Sequence, residues 1–405
     1  MAQDTSPQFD MTINGYDLDP AIIRMIQSVE YDSGGDLADQ LKIDLANVGF
    51  AAAETKLFRV GNMVKIWAGY GAERTFIGGA RIVEVNTDYP DNGMPKMEVI
   101  GYTGDWLMTK NSPPPRAEGQ PFSNNPKKSN AADGRTWFEG AMYSDAIRDK
   151  ARAYGFRIDV DETPDNIIGP YGVFQPAGMT DFKFVTSISN DLRWLFWVDA
   201  DEDTETWVLH FKDPNTTAGI QDRKLEFKYN SGNQSSIFGF RVTEYDQGPT
   251  SLQVQFVNPK TKKLETVSVE ADPSLTTDSP EYLGDPEEKP LLRPPSNPPS
   301  GPEITIAFGG SSVVTQADRQ FGSVAEAKAW AQAWFAEYER DFIRAEWKTK
   351  GPGSETLTAR QVHSISGVGP RHAGDYYLTN VTHTWSASSG HTVTCRGSMI
   401  SAADG

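Results

Sequence analysis

Three aspartates at alternate positions, Asp199, Asp201 and Asp203, open the stretch DADEDTETWVLH with the first three ligand spacings of a calcium-binding loop. Such a loop also needs a glycine at its sixth position for the sharp turn and a bidentate glutamate at its twelfth; Thr204 and His210 stand there instead. The run therefore reads as a solvated acidic hairpin turn. Gly367, Gly369 and Gly374 could suggest a phosphate loop, but the dinucleotide fingerprint has closer spacing and opens a helix. Strand-forming DYYLTNVTHTW follows here, so the glycines turn the chain between two strands and no cofactor is expected. Four of the five histidines, His363, His372, His383 and His391, lie near the end, none at a metal-ligand spacing from cysteine or carboxylate. Cys395 could be a nucleophile with His383 or His391 as its base, since such partners need only meet in space. No local signature supports that pair, and a lone cysteine in a terminal strand reads as a small buried hydrophobe. The 55 acidic residues offer so many carboxylate pairs that glycoside hydrolysis gains no support from any of them. Trp330, Trp334 and Trp347 read as core or subunit interface. No residue is assigned a catalytic, cofactor-binding or metal-ligating role, and no enzyme is expected.

The elements that position these residues centre on 180–211, TDFKFVTSISNDLRWLFWVDADEDTETWVLHF. Thr180 can cap a helix through its hydroxyl, and Asp181 places a negative charge at the positive helix end. Phe182, Val185, Ile188 and Leu192 follow at helical spacing. Leu195 to Ala200 is aromatic and β-branched, which suits a strand. Trp207, Leu209 and Phe211 alternate with Val208, His210 and Lys212 in the returning strand. A helix running into a hairpin must fold back on it, because neither buries its apolar face alone.

Residues 1–110 read as strands of a first small antiparallel barrel, with Leu41, Ile43 and Leu45 on one face of QLKIDLAN and further strands at 63–68, 75–85 and 97–101. Residues 111–136 form a polar crossover loop, and 137–215 hold the α/β unit, whose first helix (144–155) ends at Gly155 as a left-handed cap. Residues 216–271 return to alternation in KLEFKY, SLQVQFV and LETVSVE, and 272–303 are a proline-rich linker that could span ~90 Å at ~3.1 Å per residue. Residues 304–405 open with a capping box at Ser323 and Glu326. The expected helix runs to about Lys348, with Val324, Ala327, Ala331, Trp334, Tyr338, Phe342 and Ala345 as its stripe and Trp330 and Phe335 alongside. Strands at 358–367, 375–385 and 391–399 finish the chain.

Composition bounds the function. A chain of 405 residues predicts two to four domains. Its 36 glycines and 26 prolines predict many turns and short elements. A formal charge of −17 argues against binding along nucleic-acid phosphates, which takes clustered Lys and Arg. One cysteine excludes an intrachain disulfide framework. The start, MAQDTSPQFDM, lacks the pattern of a signal peptide, and no run of about 18 apolar residues predicts a membrane helix. Synthesis and folding in a reducing cytoplasm are expected.

Several stretches, in order along the chain, carry a resemblance. DLADQLKIDLAN, RVGNMVKIWAGYG and FIGGARIVEV, then SDAIRDKARAYGF and the 180–211 unit, then the capping-box helix and HSISGVGPRHAGDYYLTNVTHTW, resemble phage late-control gene D proteins. These are baseplate hubs of contractile tails, related to the N-terminal part of VgrG proteins. The resemblance implies a β-rich α+β fold with two small antiparallel, tube-like β-barrels plus helices, accessory β segments and a Pro-rich linker. It puts the α/β unit together with the C-terminal segment in the second barrel. It implies a homotrimer whose six barrels adapt a six-fold tail tube to a three-fold spike. The implied partners are a tail tube or tube-initiator protein, a separate trimeric spike protein, a tape-measure protein and other baseplate proteins, with no sequence-specific nucleic-acid binding. The implied place is the virion baseplate, with acidic residues lining the channel. Alternatives are a tail-associated cell-wall hydrolase and the hub of a type VI or phage-like secretion particle.

Overall fold

Alternation with period two puts one side chain in the core and the next outside it, and the first hundred residues follow that rule in successive strands. The computed structural model describes residues 7–34, 38–71, 73–112, 135–137, 142–163, 173–192, 194–213, 225–229, 236–244, 251–258, 261–270, 313–316, 321, 323–325, 327–328, 330–332, 334, 343–369 and 371–402. The crossover loop 113–134, the Pro-rich linker, and Glu326, Phe335, Tyr338 and Phe342 lie outside them.

The first body holds β1 (Pro7–Ile13), β2 (Tyr16–Asp17), β3 (Ile26–Gly34), β4 (Gln40–Ala46), β5 (Met63–Tyr70), β6 (Glu73–Asp88) and β7 (Lys96–Tyr102). They lie side by side in the order β3-β4-β7-β6-β5-β1-β2. Leu41, Ile43 and Leu45 are fully buried, so the alternation in QLKIDLAN is the core face. Three single-turn helices, α1 (Pro20–Ile23), α2 (Ala51–Glu54) and α3 (Asp105–Met108), close loops around it. The carboxylate of Asp19 caps α1 by accepting the Ala21 N–H at 2.7 Å, and Pro20 fills the first helical position, where no N–H is needed.

The α/β unit follows with β8 (Arg135–Trp137), α4 (Tyr143–Tyr154), β9 (Arg157–Val160), β10 (Val173–Gln175), α5 (Asp181–Leu192), β11 (Leu195–Ala200) and β12 (Trp207–Lys212). Gly155 ends α4 at φ +71°, the left-handed cap expected of it. Thr180 caps α5 by accepting the Lys183 N–H at 3.2 Å. The apolar stripe of α5 is shifted from the expected one: Phe184, Val185 and Ile188 are buried, whereas Phe182 and Leu192 are partly exposed. β11 and β12 form the expected hairpin, and β9 lies parallel to β12.

The rest of the chain comprises β13 (Glu226–Lys228), β14 (Ile237–Glu244), β15 (Ser251–Val257), β16 (Leu264–Glu270), β17 (Val313–Gln316), β18 (Ile343–Thr349), β19 (Val362–Ser366), β20 (Gly374–Ser386) and β21 (Gly390–Ala402). The helix expected to reach Lys348 does not. Described residues between 324 and 334 are helical, but 343–349 is a strand. Ile343, Ala345, Trp347 and Thr349 are buried at alternate positions, and β14 and β21 both pair with this strand, so two ladders override the helical reading. Trp330 and Trp334 pack beneath β15 in a small separate core, while Trp347 is the largest fully buried side chain. The strand expected from Thr358 begins only at Val362.

β14, β18, β21 and β20 continue directly into β3, so the C-terminal strands and the first body share one 13-stranded sheet. The seam runs in register from Asn380 opposite Gly34 to Ser386 opposite Ser28. Each half keeps its own hydrophobic core. The α/β strands were expected in the same barrel as the C-terminal segment; here, among the described residues, β9, β11 and β12 pair only with one another. The C-terminal strands instead recruit β13 and β14, because Phe227 and Ile237 supply apolar side chains to their core. Among the described residues, no helix is long and apolar enough to cross a membrane.

Candidate functional site

Of the residues singled out for chemistry, those of the acidic turn lie at a seam between the α/β unit and the first body. The α/β unit completes its own core with Met63, Phe76, Leu107 and Met108 of the first body. Two glycines allow this approach. A Cβ at Gly79 would stand 2.8 Å from the Ala200 methyl, and one at Gly104 would stand 2.7 Å from Trp207 Cγ. The acidic turn between β11 and β12 docks on β5. Lys65 Nζ donates to the carbonyls of Glu202 (3.1 Å) and Thr204 (2.6 Å) and lies 3.5 Å from the Glu205 carboxylate. Trp67 Nε1 donates to Glu202 Oε1 at 3.2 Å. Lys65 is only 4% exposed, so its charge is matched almost entirely by this turn.

The turn itself corrects the solvated reading in one place. Asp201 is buried, and its Oδ1 accepts the N–H groups of Asp203 (3.1 Å) and Thr204 (2.9 Å). The Arg157 guanidinium bonds its other oxygen. The alternating aspartates thus act separately: Asp201 folds the turn, Asp199 is half-exposed on the face of β11 opposite Val198 and Ala200, and Asp203 is exposed.

Behind the turn lies a group of carboxylates from three segments. Asp39, before β4, accepts the Gly34 N–H at 3.0 Å. Asp105, opening α3, accepts the Thr103 hydroxyl at 2.7 Å and the Trp106 N–H at 3.1 Å. Both are more than nine-tenths buried. Asp199 Oδ2 accepts the Trp197 indole N–H at 2.6 Å. Arg360, whose backbone is left-handed at φ +72°, lays its guanidinium over the Trp197 ring at 4.6 Å, and His210 stacks on that ring with centroids 4.6 Å apart. Burial pushes Asp39 up to about 7; Arg360 opposes the shift, and Asp199 and Asp105 add to it. Burial likewise raises Asp105 to about 6. The phenol of Tyr31, fully buried beside them, is pushed far above its ordinary range.

A second buried polar group sits inside the C-terminal half. His383 Nε2 donates to the Leu357 carbonyl at 2.7 Å, so its Nδ1 accepts from His391 Nε2 at 3.0 Å. That leaves His391 Nδ1 as a bare acceptor, buried without a hydrogen-bond partner among the described residues. Burial drives His383 down to about 4, and burial with the neighbouring His383 drives His391 to about 3. Both ring nitrogens of His383 are engaged, so neither serves Cys395, whose thiol burial pushes well above its ordinary range. His363 accepts the Leu225 N–H and bonds Gln361, and His372 meets Glu244 at 2.9 Å. Gly367, Gly369 and Gly374 turn the chain between β19 and β20 as expected. Gly367 is needed there because a Cβ would meet the Tyr229 carbonyl at 2.1 Å. No group of three or more metal-ligating side chains comes together among the described residues.

Sequence reasoning missed Lys65, Asp39, Asp105 and Arg360. A lone lysine within the apolar run MVKIWA was the one available signal, since a strand buried on both faces leaves an inward lysine only where something neutralises it.

No protein-family model matches the chain, and no curated protein does. Solved structures do. A tail protein from Neisseria meningitidis MC58 superposes over 97% of this chain and 96% of its own, with TM-score 0.63 and 10% identity. The 43 kDa tail protein of prophage MuSo2 from Shewanella oneidensis covers 97% and 98%, with TM-score 0.62 and 8% identity. This chain has the fold of a phage tail protein. An E. coli protein described as a component of the type VI secretion system, structurally similar to T4 bacteriophage tail proteins gp27 and gp5, also matches this tail-protein fold. It superposes over 96% of this chain and 76% of its own, with TM-score 0.53 and 10% identity. The baseplate-hub resemblance read from dispersed motifs and the structural neighbours thus agree at the level of the fold.

Proposed function

We propose that the chain is a structural hub of a phage tail baseplate. It assembles as a homotrimeric ring that adapts a six-fold tube to a three-fold spike and encloses part of the channel. The observation that carries this reading is the end-to-end superposition on tail proteins, near complete for both chains, together with two β bodies of separate core in one sheet. Duplicating a barrel within each of three subunits gives six similar positions in a ring, which is how a trimer meets a six-fold tube. The first tube-like barrel occupies 1–110. The second is built on 304–405 with strands from 216–271, while the α/β unit of 137–215 braces the first barrel. The crossover 111–136 and the linker 272–303 connect them.

The partners in this reading are the tube or its initiator, the spike, the tape measure and neighbouring baseplate proteins, and the place is the virion. The acidic balance of the chain supports a lumen that repels passing DNA. The type VI component among the neighbours supports a second reading, the hub of a secretion particle built on the same ring.

Light scattering of the purified protein across a range of salt tests the ring. A trimer mass that persists at high salt is the expected result. A monomer at all salt concentrations and in the presence of a spike protein, with clearing of purified cell wall, would replace the hub with a hydrolase.

A further inference from the structure

The sequence contains two Asn–Gly pairs, Asn14–Gly15 and Asn92–Gly93. An asparagine followed by glycine is open to attack on its own side-chain amide, because glycine has no Cβ to shield its backbone nitrogen. The attack needs a side chain free to swing its Cγ towards that nitrogen. Both asparagines are exposed, so access to solvent does not separate them. Their bonding does. Asn14–Gly15 is the two-residue turn between β1 and β2, with Ile13 opposite Tyr16 and both turn residues left-handed, at φ +50° and +76°. Its side chain is tied down: Asn14 Oδ1 accepts the Met63 N–H at 2.8 Å, and its Nδ2 donates to Asn62 Oδ1 at 3.0 Å. Asn92–Gly93 sits instead in the loop 89–95, between Asp88 at the end of β6 and Lys96 at the start of β7. Among the described residues no hydrogen bond holds the Asn92 side chain or the Gly93 N–H. The space beside Gly93 is open as well, since a Cβ there would come no closer than 3.6 Å to Pro90 Cγ. The loop is pinned only at its base, where the Asn47 N–H donates to the Pro95 carbonyl at 2.8 Å.

We propose that Asn92 deamidates spontaneously in the folded protein while the fold protects Asn14. The Gly93 nitrogen bonds to Asn92 Cγ and gives up its proton to hydroxide. The bond from Cγ to the side-chain nitrogen breaks, and that nitrogen takes a proton and leaves as ammonia. Water then opens the cyclic imide at either carbonyl, giving aspartate, or isoaspartate with the main chain running through the former side chain. The net change is water taken up and ammonia released, with nothing oxidised or reduced. Either product adds a carboxylate next to the exposed Asp91, between the exposed Tyr89 and Met94, so this tip of the first body turns more acidic as the protein ages. The inference does not depend on the tail reading.

Incubation of the full chain at mildly alkaline pH, followed by brief trypsin digestion in mild acid and fragmentation mass spectrometry, tests the assignment. Cleavage after Arg81 and Lys96 places Asn92 in peptide 82–96, and cleavage after Arg24 places Asn14 in 1–24. Peptide 82–96 should gain the mass of a deamidation at Asn92 with time, mostly as isoaspartate, and more slowly when the incubation is mildly acidic and hydroxide is scarce. Peptide 1–24 should gain it severalfold more slowly. In concentrated urea the rates at the two asparagines should approach each other, because the fold is what separates them. No gain at Asn92 in the native chain, or equal rates at Asn14 and Asn92 there, would overturn the proposal. So would an Asn14 that stays slow in urea, since its resistance would then lie outside the fold.

Discussion

The carboxylate junction and the histidine pair are both buried, titratable and polar, yet they do opposite things. The junction gathers Asp39, Asp105 and Arg360 from distant parts of the chain, with the half-exposed Asp199 at its edge, so their charges meet where those parts join. The pair His383–His391 lies on adjacent strands of one hairpin and closes on the Leu357 carbonyl, so it adjusts one core only. Burial raises the carboxylates and lowers the imidazoles, and the consequences for stability therefore have opposite sign. For Asp39 and Asp105 the stabilising contribution is complete below about pH 4 and is lost as pH rises towards 7. For the histidines it is complete above about pH 6.5 and is lost as pH falls towards 4 and 3. A protein held by both is tuned from each side of neutrality, and the part that responds differs with the direction.

The largest expected effect extends the comparison to the interior of the α/β unit. Lys150 Nζ meets Asp181 at 2.6 Å with both side chains buried, and Tyr154 and Gln175 complete the carboxylate's bonds. D181A removes the carboxylate that meets a buried ammonium and should cost about 3–5 kcal/mol, read from chemical unfolding. Loss of about 1 kcal/mol or less would show that water reaches this pair.

At the seam, G104V forces a branched side chain into the Trp207 ring and should cost about 1–3 kcal/mol. The distinguishing readout is location. Exchange should rise in 195–212, while the hairpin holding His383 and His391 keeps its protection. K65M keeps the aliphatic stem of Lys65 but removes its bonds to the Glu202 and Thr204 carbonyls. About 1–2 kcal/mol is expected, because two partly buried carbonyls lose a charged donor while packing survives. W67F, which removes the bond to Glu202 and shrinks the ring beside Phe76, should cost less, about 0.5–1 kcal/mol.

Much of the local structure was legible in the sequence because the signals are local. Thr180, Gly155 and the alternation of Trp207, Leu209 and Phe211 specify a cap, a stop and a buried face within a few residues of themselves. The helix carried too far past residue 342 failed for a physical reason. Ala345 fits a helical stripe, and only pairing with β14 and β21, far away in sequence, decides for the strand. The candidate site was illegible for the same reason. Asp39, Asp105 and Arg360 are ordinary surface-type residues until folding brings residues 39 and 360 together. Asp181 was read as a helix-end charge, when its main role is to meet Lys150 from another helix. The acidic turn was recognised as a turn, but its docking on Lys65 depends on a partner over a hundred residues away.

The opposite signs of the two polar groups are the centre of this account, and one measurement tests them together. Urea unfolding of the wild type, D39N and H391Q, each across about pH 5 to 8, gives the stability difference between variant and wild type at every pH. The advantage of D39N over the wild type should grow as pH rises, because it removes a carboxylate that resists ionisation. The disadvantage of H391Q should shrink as pH falls, because it removes a group that the unfolded chain protonates more readily. Differences that run in the same direction with pH for both variants, or that stay flat for either, would contradict it.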